Sequence, residues 1–362
     1  MTLREHILSR IAYCRKNNIK VDLNAIRLLS IKNNKILIGP EKIQINITSI
    51  CNYNCKFCLT HNPYKKNGER INTSCFISLD TIKRIAEQAY SLGTEIIYIC
   101  GEGEPLLHPK IIVILKIFAK YKFKILILTN ALCHQAIAKI LKLSPSLDLS
   151  FAVNLSAATS KQYSDIHGRK PSDFKYLLEN IRNLNRKFSV LLSFLIFKDT
   201  YKNLLQFINL AKSLRIKSII LKFPTVYDTK QKSMLLGKNE RRTFFEELKK
   251  ILSYSNRLGI HVDSQKYIIE ELLQNNSKMT ASKCFNGWFF LKIKTNGDLF
   301  ICCRENRSLG NAKNGNFKDK LFSSSFLSYL LEGKNGINLG SKNWKKCMPC
   351  LESKRNCQIE NL

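Results

Sequence analysis

Ile47-Thr48-Ser49-Ile50-Cys51-Asn52-Tyr53-Asn54-Cys55-Lys56-Phe57-Cys58 places three thiols within eight residues, directly after a run of strand-forming side chains. A C-x3-C-x2-C loop lets three thiolates converge on one face of a cubane iron-sulfur cluster and leaves one iron without a protein ligand, whereas a four-cysteine site closes it. The same stretch offers a second reading. Cys51, Cys55, Cys58 and His61 form a C-x3-C-x2-C-x2-H set with the four ligands that structural zinc takes.

Outward from this loop, short apolar runs alternate with amphipathic segments. The strands expected are 43–47, 95–100, 124–129, 147–153, 189–196 and 218–222, and the helices between them are 79–92, 110–121, 134–142, 173–186 and 201–214. This is the β-α-β rhythm of a parallel sheet with covering helices. Right-handed crossovers put all the strand C-termini at one rim, where sites form in barrel folds. The cysteine loop follows the first strand and therefore sits on that rim.

Three further turns fall at strand ends. The second strand runs into Gly101-Glu102-Gly103-Glu104-Pro105, where glycines let backbone approach a ligand and a carboxylate can accept hydrogen bonds from an ammonium group. The third ends in Thr129-Asn130-Ala131 and the fourth in Val153-Asn154-Leu155-Ser156; a hydroxyl or amide in such a place is also a common turn former. His108, His134 and His167 have no paired metal spacing and read as surface or structural residues.

Together these motifs resemble the radical S-adenosylmethionine (SAM) enzymes, whose defining loop is C-x3-C-x-aromatic-C, matched by Cys51, Cys55, Phe57 and Cys58. The resemblance implies a partial (β/α)6 TIM-type barrel, an α/β fold. It also implies a [4Fe-4S] cluster whose open iron binds the amino and carboxyl groups of SAM, and reductive cleavage of SAM to methionine and a 5'-deoxyadenosyl radical. Phe57 would lie near the adenine. Gly103, Glu104 and Pro105 match the family's G-G-E-P motif, in which Glu104 would hold the SAM amino group, although Glu102 stands where the first glycine usually is. Asn154 would lie near the ribose or carboxylate of SAM, with Ser156 behind it, while Asn130 closes its loop.

Beyond the barrel pattern, a charged helix at 240–258 and a short strand at 260–263 precede a second cysteine set. Residues 289–301 read as a hairpin around Asn296-Gly297, bringing Cys284 towards Cys302, and Cys347-Met348-Pro349-Cys350 forms a C-x2-C knuckle. This part resembles the SPASM and twitch extensions of radical SAM enzymes. By that resemblance Cys284, Cys302, Cys347 and Cys350 would hold one auxiliary [4Fe-4S] cluster in a small C-terminal cysteine-rich α+β domain, with Cys303 and Cys357 spare. Two cysteine pairs suit a zinc ribbon equally well on spacing. The expected organisation is an N-terminal helical extension over 1–40, a radical SAM core over 41–263 and the auxiliary domain over 264–362.

The 362 residues are 44% hydrophobic, ordinary for a soluble globular protein. Met1 to Asn18 carries scattered charge and lacks the apolar core of a signal peptide, and no apolar run reaches spanning length, so a cytoplasmic protein with no membrane partner is expected. Thirteen cysteines, clustered, in a reducing compartment point to metals rather than disulfides. Lys plus Arg number 59 against 27 acidic residues, a net charge of +32, but the lysines are dispersed and accompany abundant Ile and Asn. Charge without a reading motif points away from nucleic acid, leaving a zinc-binding, nucleic-acid-interacting protein as the alternative. A basic face would speed encounter with an acidic electron donor such as flavodoxin or ferredoxin. The substrate class stays open between a peptide or protein and a small sugar-like alcohol.

Overall fold

The computed structural model describes residues 2–63, 75–224, 232–263, 283–302, 307–313, 315–336 and 353–360. Strands β1 (Lys42–Asn46), β2 (Ile96–Cys100), β3 (Lys124–Thr129), β4 (Leu149–Asn154), β5 (Ser189–Leu195) and β6 (Ser218–Lys222) pair in sequence order, all parallel. They match the six expected strands to within two residues at each end. Isoleucines at alternate positions explain why. Ile43 and Ile45, Ile97 and Ile99, and Ile125 and Ile127 are almost fully buried under the helices, while the residues between them turn to the opposite face. Parallel strands require crossovers, and the helices that supply them cover one side of the sheet.

Six strands are extended at both edges. The short strand at β7 (His261–Asp263) joins β6 in parallel, so the sheet order is β7-β6-β5-β4-β3-β2-β1-β8-β9. The expected hairpin exists as β8 (Phe290–Ile293) and β9 (Leu299–Phe300), with Gly297 in the left-handed region at φ 91. Its placement was not foreseen: β8 pairs with β1 in parallel, Lys42 opposite Phe290. The C-terminal hairpin thus continues the sheet. The expected division after residue 263 borders residues 264–282, which lie outside the described residues.

Helices α1 (Leu3–Lys16) and α2 (Leu23–Lys32) lie in the N-terminal stretch expected to be helical. Between them Ile11, Leu23 and Ile38 form a small apolar cluster. The buried Arg27 guanidinium pins α2 to the sheet through Gly39 O, Gly93 O, Asn24 Oδ1 and Glu95 Oε2, at 3.1, 2.8, 2.9 and 3.0 Å. Then follow α3 (Leu79–Ser91), α4 (Ile111–Lys120), α5 (His134–Ile140), α6 (Ser160–His167), α7 (Asp173–Asn185), α8 (Leu204–Ser213) and α9 (Lys238–Arg257). Of these only α6 was unanticipated. No helix among the described residues is long and apolar enough to cross a membrane.

Candidate active site

The cysteine loop leaves β1 and is fastened on two sides. On one, the segment after β2 runs beside it: Gly103 N–H donates to Thr48 O at 3.0 Å and Glu104 N–H to Ile50 O at 2.7 Å. Only glycine permits this. A Cβ on Gly103 would meet Ile50 O at 2.0 Å, and one on Gly101 would meet Gly103 O at 2.4 Å. Gly101 therefore serves the turn that the missing glycine at 102 leaves uncovered.

On the other side α6 ends against the loop. Asn54 N–H and Lys56 N–H donate to the carbonyls of His167 and Ile166 at 3.2 and 3.0 Å, consuming acceptors that a helix C-terminus leaves unpaired. Gly168 caps α6 in the left-handed region at φ 64 and lies so close to Asn54 that a Cβ would meet its carbonyl O at 2.9 Å. Arg169 Nη1 donates to Asn52 O at 3.0 Å.

Glu104 is buried beside this loop. Its Oε1 accepts from the Thr129 hydroxyl at 2.5 Å and Leu106 N–H at 3.0 Å, and its Oε2 from Asn130 N–H at 2.6 Å. Burial pushes its carboxyl up to about 7, against these three hydrogen bonds, which pull the other way. A carboxylate offers about four acceptor positions, so one direction remains for a further donor. Asn130 closes its turn by accepting Leu132 N–H and ties that turn to the cysteine loop through Asn52 Oδ1 at 2.7 Å. Ala131 takes φ 55, a conformation that glycine adopts more readily.

The three thiols interact. Burial raises Cys51 to about 12, with the charges of Glu104 and Cys58 adding to it, and raises Cys55 well above its usual value, with Cys58 and Cys51 adding. Cys58 Sγ accepts the N–H groups of Thr60 and His61 at 3.4 and 3.2 Å. Among the described residues no three Cys, His, Asp or Glu side chains are gathered as a ready metal site. The sulfurs turn instead to other partners, Cys55 to His167 at 3.2 Å and Cys58 to the Thr60 hydroxyl at 3.3 Å. The donor set nevertheless suits a thiolate-bound iron cluster. It offers three sulfurs in mutual electrostatic reach with N–H groups aimed at Cys58, and a bound cation would reverse the rise in the Cys51 and Cys55 thiol pKa values. His61, the fourth ligand of the zinc reading, has a buried Nε2 without a hydrogen-bond partner and is not grouped with the thiols.

Phe57 packs beside Phe197 and edge-on to His167, ring centroids 6.1 and 5.7 Å apart. Asn154 ends β4, and its Oδ1 accepts from the Ser156 hydroxyl at 3.3 Å. Of the two readings of His167, surface or structural, burial removes the first. It is 1% exposed, touches Cys55, and burial holds its imidazolium pKa down to about 3. His108 is buried too, its Nε2 3.1 Å from Ile77 O. The signal for His167 was present in Thr159-Ser160-Lys161-Gln162 and Gly168, a helix start and stop with eight residues between them, at which Thr159 does accept Gln162 N–H.

In the C-terminal part, Asn286 Nδ2 donates to Ile301 O at 2.6 Å, drawing together the chain beside Cys284 and the chain beside Cys302. Cys303, Cys347, Cys350 and the Cys357 side chain lie outside the described residues.

A family model, the Radical SAM superfamily, matches residues 45–211, from within β1 to within α8. Among curated relatives, the GTP 3',8-cyclases of Klebsiella pneumoniae subsp. pneumoniae and Pectobacterium atrosepticum are 37% and 40% identical over 65 residues. Those residues are 18% of this chain and 18% of each relative, so the match spans less than a fifth of their length. Among solved structures, Streptococcus suis SuiB bound to precursor peptide SuiA superposes with a TM-score of 0.62 at 16% identity, covering 84% of this chain and 69% of SuiB. Native anSMEcpe with bound AdoMet gives 0.58 at 12% identity, covering 80% and 83%. At such identities the shared property is the fold.

Proposed function

We propose that the chain is a radical SAM enzyme that takes hydrogen from a peptide or protein substrate. The single observation that carries this reading is the backbone pairing of the Gly103-Glu104 segment with the cysteine loop, which sets one buried carboxylate beside three interacting thiols. In this reading Cys51, Cys55 and Cys58 hold a [4Fe-4S] cluster with one open iron. When bound and reduced, that cluster supplies the electron that splits SAM into methionine and a 5'-deoxyadenosyl radical. The remaining roles fall to side chains of the rim. Glu104 accepts the SAM ammonium in its one free direction, its carboxylate form favoured by the added positive charge. Gly103 lets backbone approach the ligand, Phe57 flanks the adenine, and Asn154 meets the ribose or carboxylate.

A peptide is favoured over a small alcohol because SuiB, of the same fold, was solved bound to its precursor peptide. Cys284 and Cys302, with Cys347 and Cys350, are assigned to one auxiliary [4Fe-4S] cluster of a twitch or SPASM-like domain, and an acidic flavodoxin or ferredoxin is the proposed electron donor. A cytoplasmic setting follows from the oxygen and redox sensitivity of such sites. Anaerobic reconstitution tests the proposal: iron with labile sulfide and reductant-dependent 5'-deoxyadenosine are expected. Stoichiometric zinc with salt-sensitive RNA binding would instead establish the zinc-binding alternative.

A further inference from the structure

The His167 ring meets Cys55 in a pattern that fixes which nitrogen carries the proton. Its Nε2 accepts the backbone N–H of Ser156 at 3.4 Å. In the neutral ring the proton is therefore on Nδ1, and Nδ1 lies 3.2 Å from Cys55 Sγ. The ring has no room to turn away. It meets Tyr53, Phe57 and Tyr163 at centroid distances of 5.5, 5.7 and 5.3 Å, and the His167 carbonyl is held by Asn54 N–H.

We propose that His167 is a positioning residue whose Nδ1–H donates to the Cys55 sulfur and thereby raises the reduction potential of the cluster carried by that loop. The inference rests on Cys51, Cys55 and Cys58 being cluster ligands. Hydrogen bonds to cluster sulfurs and solvent exposure are the levers by which a protein sets such potentials. A donor at the sulfur favours the more negative, reduced state and holds the ligand's orientation. Cys58 receives its N–H groups from backbone, fixed by the fold. Cys55 receives one from an imidazole, which a single substitution removes.

The test is a redox titration of the anaerobically reconstituted full chain, followed by electron paramagnetic resonance, for wild type, His167→Phe and His167→Asn. Phenylalanine keeps a flat ring between Tyr53 and Phe57 without a donor, whereas the asparagine Nδ2 reaches the place of Nδ1. One-electron reduction of the Phe variant should be about tenfold less favourable, a midpoint ~59 mV lower, and the Asn variant should recover at least half of that. An unchanged midpoint in the Phe variant overturns the inference, as does an Asn variant that falls as far as Phe.

A second readout needs no substitution at His167. With 15N-histidine, the reduced wild-type cluster should show a nitrogen hyperfine coupling that persists in His61→Gln. A loaded cluster with no histidine coupling overturns this inference alone. A chain that binds neither iron nor sulfide overturns the cluster reading together with it.

Discussion

Replacing Gly103 with alanine tests the joint between the two halves of the site. The added Cβ would meet three backbone atoms of Ile50, with its O at 2.0, C at 2.4 and N at 2.6 Å. No side-chain rotation relieves a clash with backbone, so one strand must retreat by about 1 Å before the nearest contact becomes tolerable. That movement breaks the Gly103 to Thr48 and Glu104 to Ile50 hydrogen bonds. Each is worth about 1 kcal/mol, and the Ile50 carbonyl left without its donor adds about 1 kcal/mol or more, for a total of about 3 kcal/mol. It also shifts Glu104 relative to Cys51, and a displacement of about 1 Å in a positioned group can cost about 100-fold in rate. Gly237→Ala is the matched control, since its Cβ meets nothing nearer than Glu240 Oε2 at 3.5 Å. Urea unfolding and reductant-dependent 5'-deoxyadenosine formation, measured on both variants after equal iron loading, give the comparison. A Gly103→Ala protein within about 0.5 kcal/mol of wild type and cleaving SAM at the wild-type rate refutes the reasoning.

Three further outcomes are expected. Burial holds Glu104 at about 7, above its ordinary 4.5, so across that interval the folded chain keeps a proton that the unfolded chain has released. Its contribution to stability therefore falls as pH rises from about 4.5 to about 7 and is level above. His167, held down to about 3 from 6.5, slopes the opposite way where the two windows overlap, so the wild-type curve alone is uninformative. The difference between Glu104→Gln and wild type in urea should instead grow in favour of Gln, on the order of 3 kcal/mol from about pH 4.5 to about pH 7, and a flat difference refutes the raised carboxyl. Cys284→Ala or Cys302→Ala should lower iron by about four atoms per chain while leaving the Cys51 loop cluster in place, and unaltered iron rules out their role in a second cluster. Arg27→Ala should cost about 2–4 kcal/mol by calorimetry or denaturant, because it leaves the buried carbonyls of Gly39 and Gly93 without their donor, while Glu95, 40% exposed, returns to solvent; a loss under about 1 kcal/mol would mean that water replaces those donors.

The parallel sheet was legible because its information is local. Alternating isoleucines in β1 to β3 and turn residues between segments specify strand and helix without reference to the rest of the chain. The hairpin at Gly297 was legible for the same reason, since an Asn-Gly turn needs only its own backbone. Its destination was not, because nothing in Phe290–Ile293 names β1 as its neighbour; that choice depends on which edge is open once the sheet has formed. The short helix α6 escaped notice although its caps were in view, as eight residues with few apolar positions give a weak period. The cysteine loop and Glu104 stand out by their motifs, but His167 and Arg169 reach the loop from more than a hundred residues away, a proximity that only the assembled sheet creates.

The parallel docking of β8 against β1 has a consequence for how the chain is made. Until residues 290–293 have been synthesised, β1 presents an unpaired edge beside the thiol loop. At ordinary translation speeds that interval is roughly 10–50 s. An open hydrogen-bonding edge invites pairing with other nascent chains, so ribosome-bound or truncated products ending before β8 are the forms most in need of a chaperone. Metal delivered during that interval would meet a loop whose supporting wall is still incomplete.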